Sequence, residues 1–300
     1  MNGSASAVPP RPSPRPWCSN SSPRAGIDLD TPVERYLPGL VRGNGYDGRR
    51  ITVRDLLRHT GGLPDHVDAL DWDRVESWRL RRFEPAELLA LALAQPPPPA
   101  GWNYSTTNYL LAGLIVGRVT GRDIGAEITR RVIVPLGLRD TYWPGDSVRI
   151  RGPHPRGYAP VEVDGTVRKV DRTDFHMSFG GAGGALVSTL ADQHRFFTAL
   201  LGGRLLPPAQ LAEMRQTVPA DPDRLWPGAR YGLGLISTPL DGCGGGTYWG
   251  HGGTTPGFRT LGATTVDGRS VQLVVNDEPM SYEGWAALHA TVRTALCEAR

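Results

Sequence analysis

Strand signals concentrate in the last third of the chain, and their spacing constrains the fold more than any other feature. Apolar and β-branched runs predict four strands: Tyr231 to Ile236, Tyr248 to His251, Phe258 to Val266, and Ser270 to Val275. Asp267-Gly268 separates the last two runs and is a strong signal for a type I′ hairpin. Strands joined this closely pair antiparallel, which favours an antiparallel sheet over βαβ units.

Helix signals dominate the middle of the chain and return at its end. Caps, apolar stripes and prolines predict six helices: Thr52 through Arg58, Pro85 to about Ala94, Thr106 to Val119, Ile124 to Val134 before Pro135, Thr189 to Leu201 behind a capping box with Asp192, and Glu283 to Glu298. The predicted fold is therefore α+β, an antiparallel β-sheet flanked by helices and joined to a mostly helical subdomain. We place that subdomain at about 50–150, and the sheet with its terminal helix at about 180–300.

Composition separates the first 25 residues from the rest. Residues 1–25 hold six prolines and six serines with almost nothing to bury, so we expect disorder there and a globular domain over 26–300. They contain no apolar core of a signal peptide, and no stretch approaches the ~20 apolar residues of a membrane span. The net charge of +3, with scattered arginines, argues against a nucleic-acid or membrane partner. The cellular location stays open.

The three cysteines, Cys18, Cys243 and Cys297, lack the spacing of metal ligands. A disulfide between Cys243 and Cys297 and a pair of free thiols are both compatible with the sequence. We therefore predict no metal site and leave the thiol state undecided.

Four stretches of the chain carry a family resemblance: Gly26-Ile27-Asp28-Leu29-Asp30 with Tyr36-Leu37-Pro38, then ITVRDLLRHTGGLP from Ile51 to Pro64, then YSTTNYLLAGLIVGRVTG from Tyr104 to Gly121, and finally Gly250-His251-Gly252-Gly253. In this order they resemble the serine β-lactamase and penicillin-binding-protein family, and within it the D-alanyl-D-alanine carboxypeptidases and related esterases. The resemblance implies a β-lactamase/transpeptidase-like fold. It also implies acyl transfer from small peptides, esters or β-lactams through a seryl acyl-enzyme, without metal or cofactor. The protein is expected to be a monomer, and members of the family are usually secreted or periplasmic.

The resemblance also implies roles for particular residues. Tyr104 is the predicted proton relay, which requires cationic neighbours because tyrosine ordinarily titrates near ~10. His251 is predicted to attract a substrate carboxylate or to orient the relay. The predicted substrate contacts are Ser105, Thr106, Gly252 and Gly253, with Thr106 standing where the family usually has asparagine. A role of Ser105 as a helix N-cap is an open alternative, and His59 is expected to be structural.

The pair that starts the family's chemistry is missing from this sequence. The chain has one lysine, Lys169, and no Ser-x-x-Lys. Ser21 and Arg24 have the spacing, but arginine is effectively never deprotonated and cannot serve as the base. Thr166 and Lys169 also have the spacing, but they lie in a polar stretch that the family places far from the site.

Reading the codons of residues 7–26 one base earlier supplies a candidate for the missing motif. Ordinary codon choices permit Ser-x-x-Lys, with the serine at the Ala7/Val8 junction and the lysine at the Pro10/Arg11 junction, followed by an apolar helix that runs into Ile27. We hypothesise that residues 1–25 are an out-of-frame translation. The fold would then be N-terminally incomplete, with an open sheet edge and an empty helix position. A genuine disordered leader is the alternative, and the nucleotide sequence of the gene decides between them.

Three functional hypotheses follow from the sequence. The chain derives from a serine hydrolase and is inactive as written; or it is a catalytically silent protein that binds ligands or peptidoglycan in the Tyr104 and His251 pocket; or it is an active hydrolase with a non-standard nucleophile such as Ser105.

Overall fold

The computed structural model describes residues 26–163, 165–241, 243, 245–277 and 282–298. The predicted disorder and the out-of-frame hypothesis concern residues 1–25, which lie outside the described residues.

Helices fill the first half of the described chain and recur around the sheet. In chain order they are α1 Val33–Tyr36, α2 Val53–Arg58, α3 Val75–Trp78, α4 Pro85–Ala94, α5 Thr106–Thr120, α6 Ile124–Ile128, α7 Val134–Leu136, α8 Gly181–Gly184, α9 Leu190–Leu201, α10 Pro208–Met214 and α11 Tyr282–Glu298. Short 3₁₀ turns cover His66–Ala69, Trp72–Arg74 and Met177–Phe179, and a π-helical turn covers Thr129–Ile133.

The strands form one large antiparallel sheet and two small hairpins, as the predicted α+β class requires. They are β1 Arg42–Gly43, β2 Tyr46–Asp47, β3 Tyr158–Val163, β4 Thr166–Asp171, β5 Val218–Pro219, β6 Arg230–Tyr231, β7 Ile236–Pro239, β8 Thr247–Gly250, β9 Gly252–Thr255, β10 Phe258–Thr265 and β11 Ser270–Val275. The large sheet has the order β11-β10-β8-β7-β6-β5, and β9 also pairs with β10. The hairpins are β1-β2 and β3-β4.

Helices cover both faces of the sheet. Leu261 and Ala263 of β10 share a buried cluster with Val292 and Leu296 of α11. Gly262, between them, faces the other way, and a side chain there would meet Phe197 of α9 at 3.0 Å. The predicted antiparallel sheet with flanking helices is therefore confirmed.

Local chemistry explains the predicted helices that are confirmed. Thr52 caps α2 through a reciprocal capping box with Asp55. Thr189 caps α9, but the box is incomplete because the Asp192 carboxylate instead accepts bonds from Asp140 N and Thr141 Oγ1, each at 2.9 Å. Caps can thus be predicted from short spacings, whereas the partner of a buried carboxylate depends on the tertiary fold.

Three local expectations are wrong. Pro135 does not stop its helix: the π-helical turn precedes it, and the helix ends at Gly137 in the left-handed conformation. The run from Tyr231 to Ile236 is not one strand, because β6 ends at Tyr231 and β7 begins at Ile236. The β10–β11 turn has a positive φ at Gly268 but not at Asp267, so it is not type I′.

A disulfide links the sheet to its terminal helix. Cys243, between β7 and β8, is bonded to Cys297 of α11, with a Cα–Cα distance of 5.3 Å.

Among the described helices, none has the length and apolar character needed to cross a membrane.

Candidate active site

One cavity of about 950 Å³ lies between the helical half of the chain and the sheet. Asp65, Tyr104 and Thr106 line it on the helical side, and the segment 251–255 lines it on the sheet side. The loop 222–228 and the α11 residues Trp285 and His289 also line it. The structure thus brings together the predicted residues Tyr104, Thr106, His251, Gly252 and Gly253.

Tyr104 stands two residues before α5. Its ring lies 4.3 Å from that of His59 and 6.3 Å from that of His251, measured between centroids. Among the described residues its hydroxyl has no hydrogen-bond partner. Burial raises the pKa of Tyr104 to about 12, and the Asp65 carboxylate acts in the same direction. The phenol is therefore neutral near pH 7, and the cationic neighbours that a tyrosine base requires are not in contact with it.

His251 occupies the junction of β8 and β9, which pair with β10 in one continuous register. Gly250 is required just before it, because a Cβ there would meet the Gly262 carbonyl oxygen at 1.9 Å. Pairing of β8 with β7 ends at Gly250, and β9 pairs only with β10 among the described strands. No described strand therefore pairs with the other edge of Gly252 and Gly253, and the approach of a substrate backbone there stays a prediction.

The imidazole of His251 is held from both sides. Its Nδ1 lies 2.5 Å from the Gly252 carbonyl oxygen, and its Nε2 lies 2.9 Å from the hydroxyl of Tyr231. Burial lowers the pKa of His251, so the ring is neutral near pH 7. A neutral ring does not supply the positive charge expected to attract a substrate carboxylate.

Asp65 is a site residue that sequence reasoning missed. It is 8% exposed, its carboxylate accepts hydrogen bonds from Val67 N at 3.0 Å and Thr106 Oγ1 at 3.1 Å, and burial raises its pKa. No cation lies within ion-pair distance of it in the described part of the chain. In the sequence, Asp65 directly follows the GGLP run. That position indicates only a cap for the following turn and does not indicate a cavity group. Asp65 gives the cavity an unpaired acidic group.

Ser105 lies outside the cavity lining. It is 0% exposed, and its hydroxyl donates to the Pro64 carbonyl oxygen at 2.9 Å. It occupies the N-cap position of α5 but makes no side-chain cap bond. This placement favours a structural role over the predicted contact with substrate. Lys169 lies on the exposed strand β4 in an ion pair with Asp277 and does not line the cavity.

A tyrosine beside a helix start therefore faces a histidine-glycine strand across this cavity. The chain belongs to the β-lactamase family, whose profile matches residues 23–292.

Similar proteins include hydrolases of D-amino acid derivatives. The structure of a D-stereospecific amidohydrolase from Streptomyces sp. is 38% identical, with a TM-score of 0.77 over 84% of this chain and 75% of that one. That of the D-amino acid amidase from Ochrobactrum anthropi SV3, complexed with D-phenylalanine, is 26% identical with a TM-score of 0.71, over 92% and 79%. Penicillin-binding protein 4 of Amycolatopsis lactamdurans is 30% identical over 209 residues, 64% of this chain and 51% of that protein. Other curated relatives are covered over 25% to 56% of their length.

Proposed function

We propose that this chain binds D-amino acid amides and short D-peptides in the Tyr104–His251 cavity and, as written, does not form a seryl acyl-enzyme. The observation that carries the proposal is the composition of the cavity wall. Tyr104, His251 and Asp65 meet there, whereas the described lining residues include neither a serine nor a lysine.

The ligand class follows from charge and geometry. A D-amino acid amide presents an ammonium group, for which the unpaired Asp65 carboxylate is a complementary partner. The unpaired edge of β9 offers backbone groups to the ligand's amide, as in peptide recognition by strand addition. The names of the Streptomyces and Ochrobactrum proteins support the choice of D-amino acid derivatives. Esters and β-lactams, which the family resemblance also implies, are the secondary ligand classes to compare.

The absence of acylation follows from the chemistry of the nucleophile. A serine hydroxyl attacks an acyl group only when a neighbouring base takes its proton. The single lysine is ion-paired on an exposed strand, and the pKa of Tyr104 is raised to about 12, so neither serves as a base near pH 7. Ser105 as an alternative nucleophile is disfavoured because its hydroxyl is buried and bonded to Pro64.

Labelling and binding experiments on the full chain test the two halves of this proposal. We expect no adduct in intact-mass spectra after incubation with a fluorescent penicillin or a fluorophosphonate. By calorimetry we expect D-phenylalanine amide to bind more tightly than its L enantiomer. An adduct would favour the active-hydrolase alternative, and loss of the adduct in Ser105→Ala would identify its nucleophile. A chain that gives neither adduct nor binding would refute the proposal. The monomeric state stays a prediction.

A further inference from the structure

Tyr231, at the end of β6, is a buried tyrosine whose hydroxyl hydrogen-bonds to the site residue His251. It is 1% exposed, it does not line the cavity, and its hydroxyl lies 2.9 Å from His251 Nε2. Its ring packs near those of His59, Trp102 and Tyr104. From this position Tyr231 can influence a ligand through His251 but does not contact the ligand itself.

The positions of the hydrogens follow from the two contacts of the imidazole. The Gly252 carbonyl oxygen can only accept a hydrogen bond, so His251 Nδ1, at 2.5 Å, carries a hydrogen. In the neutral ring Nε2 is then an acceptor, and the Tyr231 hydroxyl must donate to it.

A second phenol offers Tyr231 an alternative, but a poorer one. The hydroxyl of Tyr109 is also within hydrogen-bonding reach of Tyr231, and it donates to the Leu57 carbonyl oxygen at 3.0 Å. If Tyr231 turned its hydrogen toward Tyr109, Nε2 of the half-buried His251 would lose its donor. Leaving such a group without a partner is unfavourable, so the bond to His251 is preferred.

We propose that Tyr231 is a positioning residue that fixes His251 in the Nδ1–H tautomer and holds both ring nitrogens inside the protein. His251 then offers the ligand the face of its ring and the adjacent backbone of β9, and neither an N–H group nor a nitrogen lone pair. The assignment of hydrogens is independent of ligand binding. Only its effect on affinity rests on the proposed function.

Nitrogen NMR of the ¹⁵N-histidine-labelled protein at pH 7 tests the assignment directly, with His251→Gln identifying the signal. We expect hydrogen on Nδ1 and an unprotonated, hydrogen-bonded Nε2. Tyr231→Phe removes only the hydroxyl, and we expect the Nε2 signal to move to that of an unbonded nitrogen or a second tautomer to appear. The matched control Tyr109→Phe should keep the wild-type pattern. Hydrogen on Nε2 in the wild type overturns the proposal, even if Tyr231→Phe does not fold. A His251 pattern that Tyr231→Phe leaves unchanged overturns it as well.

A binding cycle with D-phenylalanine amide tests whether Tyr231 acts through His251. We expect Tyr231→Phe to weaken binding about threefold when His251 is present, the size of one modest hydrogen bond. The same substitution should have almost no effect in a His251→Ala background. Equal effects in both backgrounds would overturn the positioning role. Complete absence of binding would refute the proposed function. The assignment of hydrogens on His251 would then be tested by the NMR experiment alone.

Discussion

The Nδ1 atom of His59 accepts a hydrogen bond from the Asn108 side-chain amide at 2.9 Å, joining the end of α2 to the first turn of α5. His59 has a left-handed backbone (φ 62°), which is uncommon for a residue other than glycine. The Ser105 N–H also donates to Nδ1, at 3.2 Å, and the Asn103 N–H donates to the His59 carbonyl oxygen at 2.9 Å. Tyr104 lies between these two anchored residues, so its position at the cavity depends on a neutral His59.

This dependence predicts that stability falls as the pH is lowered below about 6.5. Burial lowers the pKa of His59 to about 3 and that of His289 to about 4. The unfolded chain, whose histidines titrate near ~6.5, takes up protons that the folded chain excludes, so stability declines from there toward the folded pKa values. For His59 and His289 alone we expect roughly 2 kcal/mol of unfolding free energy to be lost between pH 6 and pH 5. Burial also lowers the pKa of His66, His176 and His251, and these groups add to the loss. Urea unfolding at pH 7, 6 and 5 measures this loss.

A matched variant isolates one of these sites. His289 lies between Trp226 and Trp285, and neither of its ring nitrogens has a partner among the described residues. His289→Phe should therefore be neutral or stabilising at pH 7 and should remove roughly 1 kcal/mol of the loss between pH 6 and pH 5. Asp65, whose pKa is raised, acts in the opposite direction, so the same series in Asp65→Asn separates its contribution. Unfolding free energies that do not change between pH 7 and 5 would contradict this account.

Asp65→Asn tests the proposed recognition of an ammonium group. Asparagine keeps a carbonyl acceptor for Val67 N, places an NH2 group where the other oxygen accepts from Thr106 Oγ1, and removes the charge. We expect D-phenylalanine amide to bind about tenfold more weakly, close to the value of one hydrogen bond to a charged group, while an N-acetylated D-peptide is unaffected. Asp68→Asn is the control, because Asp68 is half exposed, pairs with Arg224 and does not line the cavity. Equal losses for both ligands would argue against an ammonium contact.

Ser105→Ala distinguishes a structural serine from a nucleophile. The substitution removes the bond from Oγ to the Pro64 carbonyl oxygen in a fully buried position. We expect the unfolding free energy to fall by about 1 kcal/mol and ligand affinity to stay within twofold of the wild type. Thr107→Val is a comparison that removes more, because the buried Thr107 hydroxyl donates to Pro64 O at 2.8 Å and also accepts from His66 N at 3.0 Å. Lower affinity only in Ser105→Ala would restore the predicted substrate contact.

Sequence reasoning succeeded where short-range chemistry decides the outcome. The Thr52 cap, the extent of α4 and the position of the β10–β11 hairpin all follow from residues a few positions apart. The family resemblance implied one site for Tyr104 and His251, and both residues line the same cavity, while their roles there stay predictions.

It failed where distant segments meet. Asp65 becomes a cavity group only because α5 packs beside it, and Tyr231 reaches His251 from two strands away in the sheet. The residues next to Asp65 and Tyr231 in the sequence do not predict these contacts. The Asp267-Gly268 turn type was wrong because the loop uses one left-handed residue, Gly268, where a type I′ turn needs two.

The Cys243–Cys297 disulfide is predicted to stabilise the wall of the cavity formed by α11. It closes a loop with a sequence separation of 54 residues between the β7–β8 connection and α11. Removing a bridge of this length typically costs about 2–4 kcal/mol. We expect a lower melting temperature in the Cys243→Ser/Cys297→Ser double variant, and no further change with a thiol reductant. Cys18→Ser should melt like the wild type, and a wild-type melting temperature insensitive to reductant would refute this prediction.

The outer edge of β11 predicts self-association. The strand ends the large sheet, yet α9 and α11 pack on it like helices on an interior strand, and no described strand pairs with its outer edge along Ser270–Val275. Open edges of this kind pair with other chains unless charge or shape prevents it. We therefore expect concentration-dependent oligomers in light scattering at about 100 μM, reduced in Val274→Lys, which places a charge on a residue that is 36% exposed. Val167→Lys is the control, because Val167 is exposed on the separate β3–β4 hairpin. A monodisperse protein with a cooperative melt would refute this prediction and would favour the monomer that the family resemblance implies.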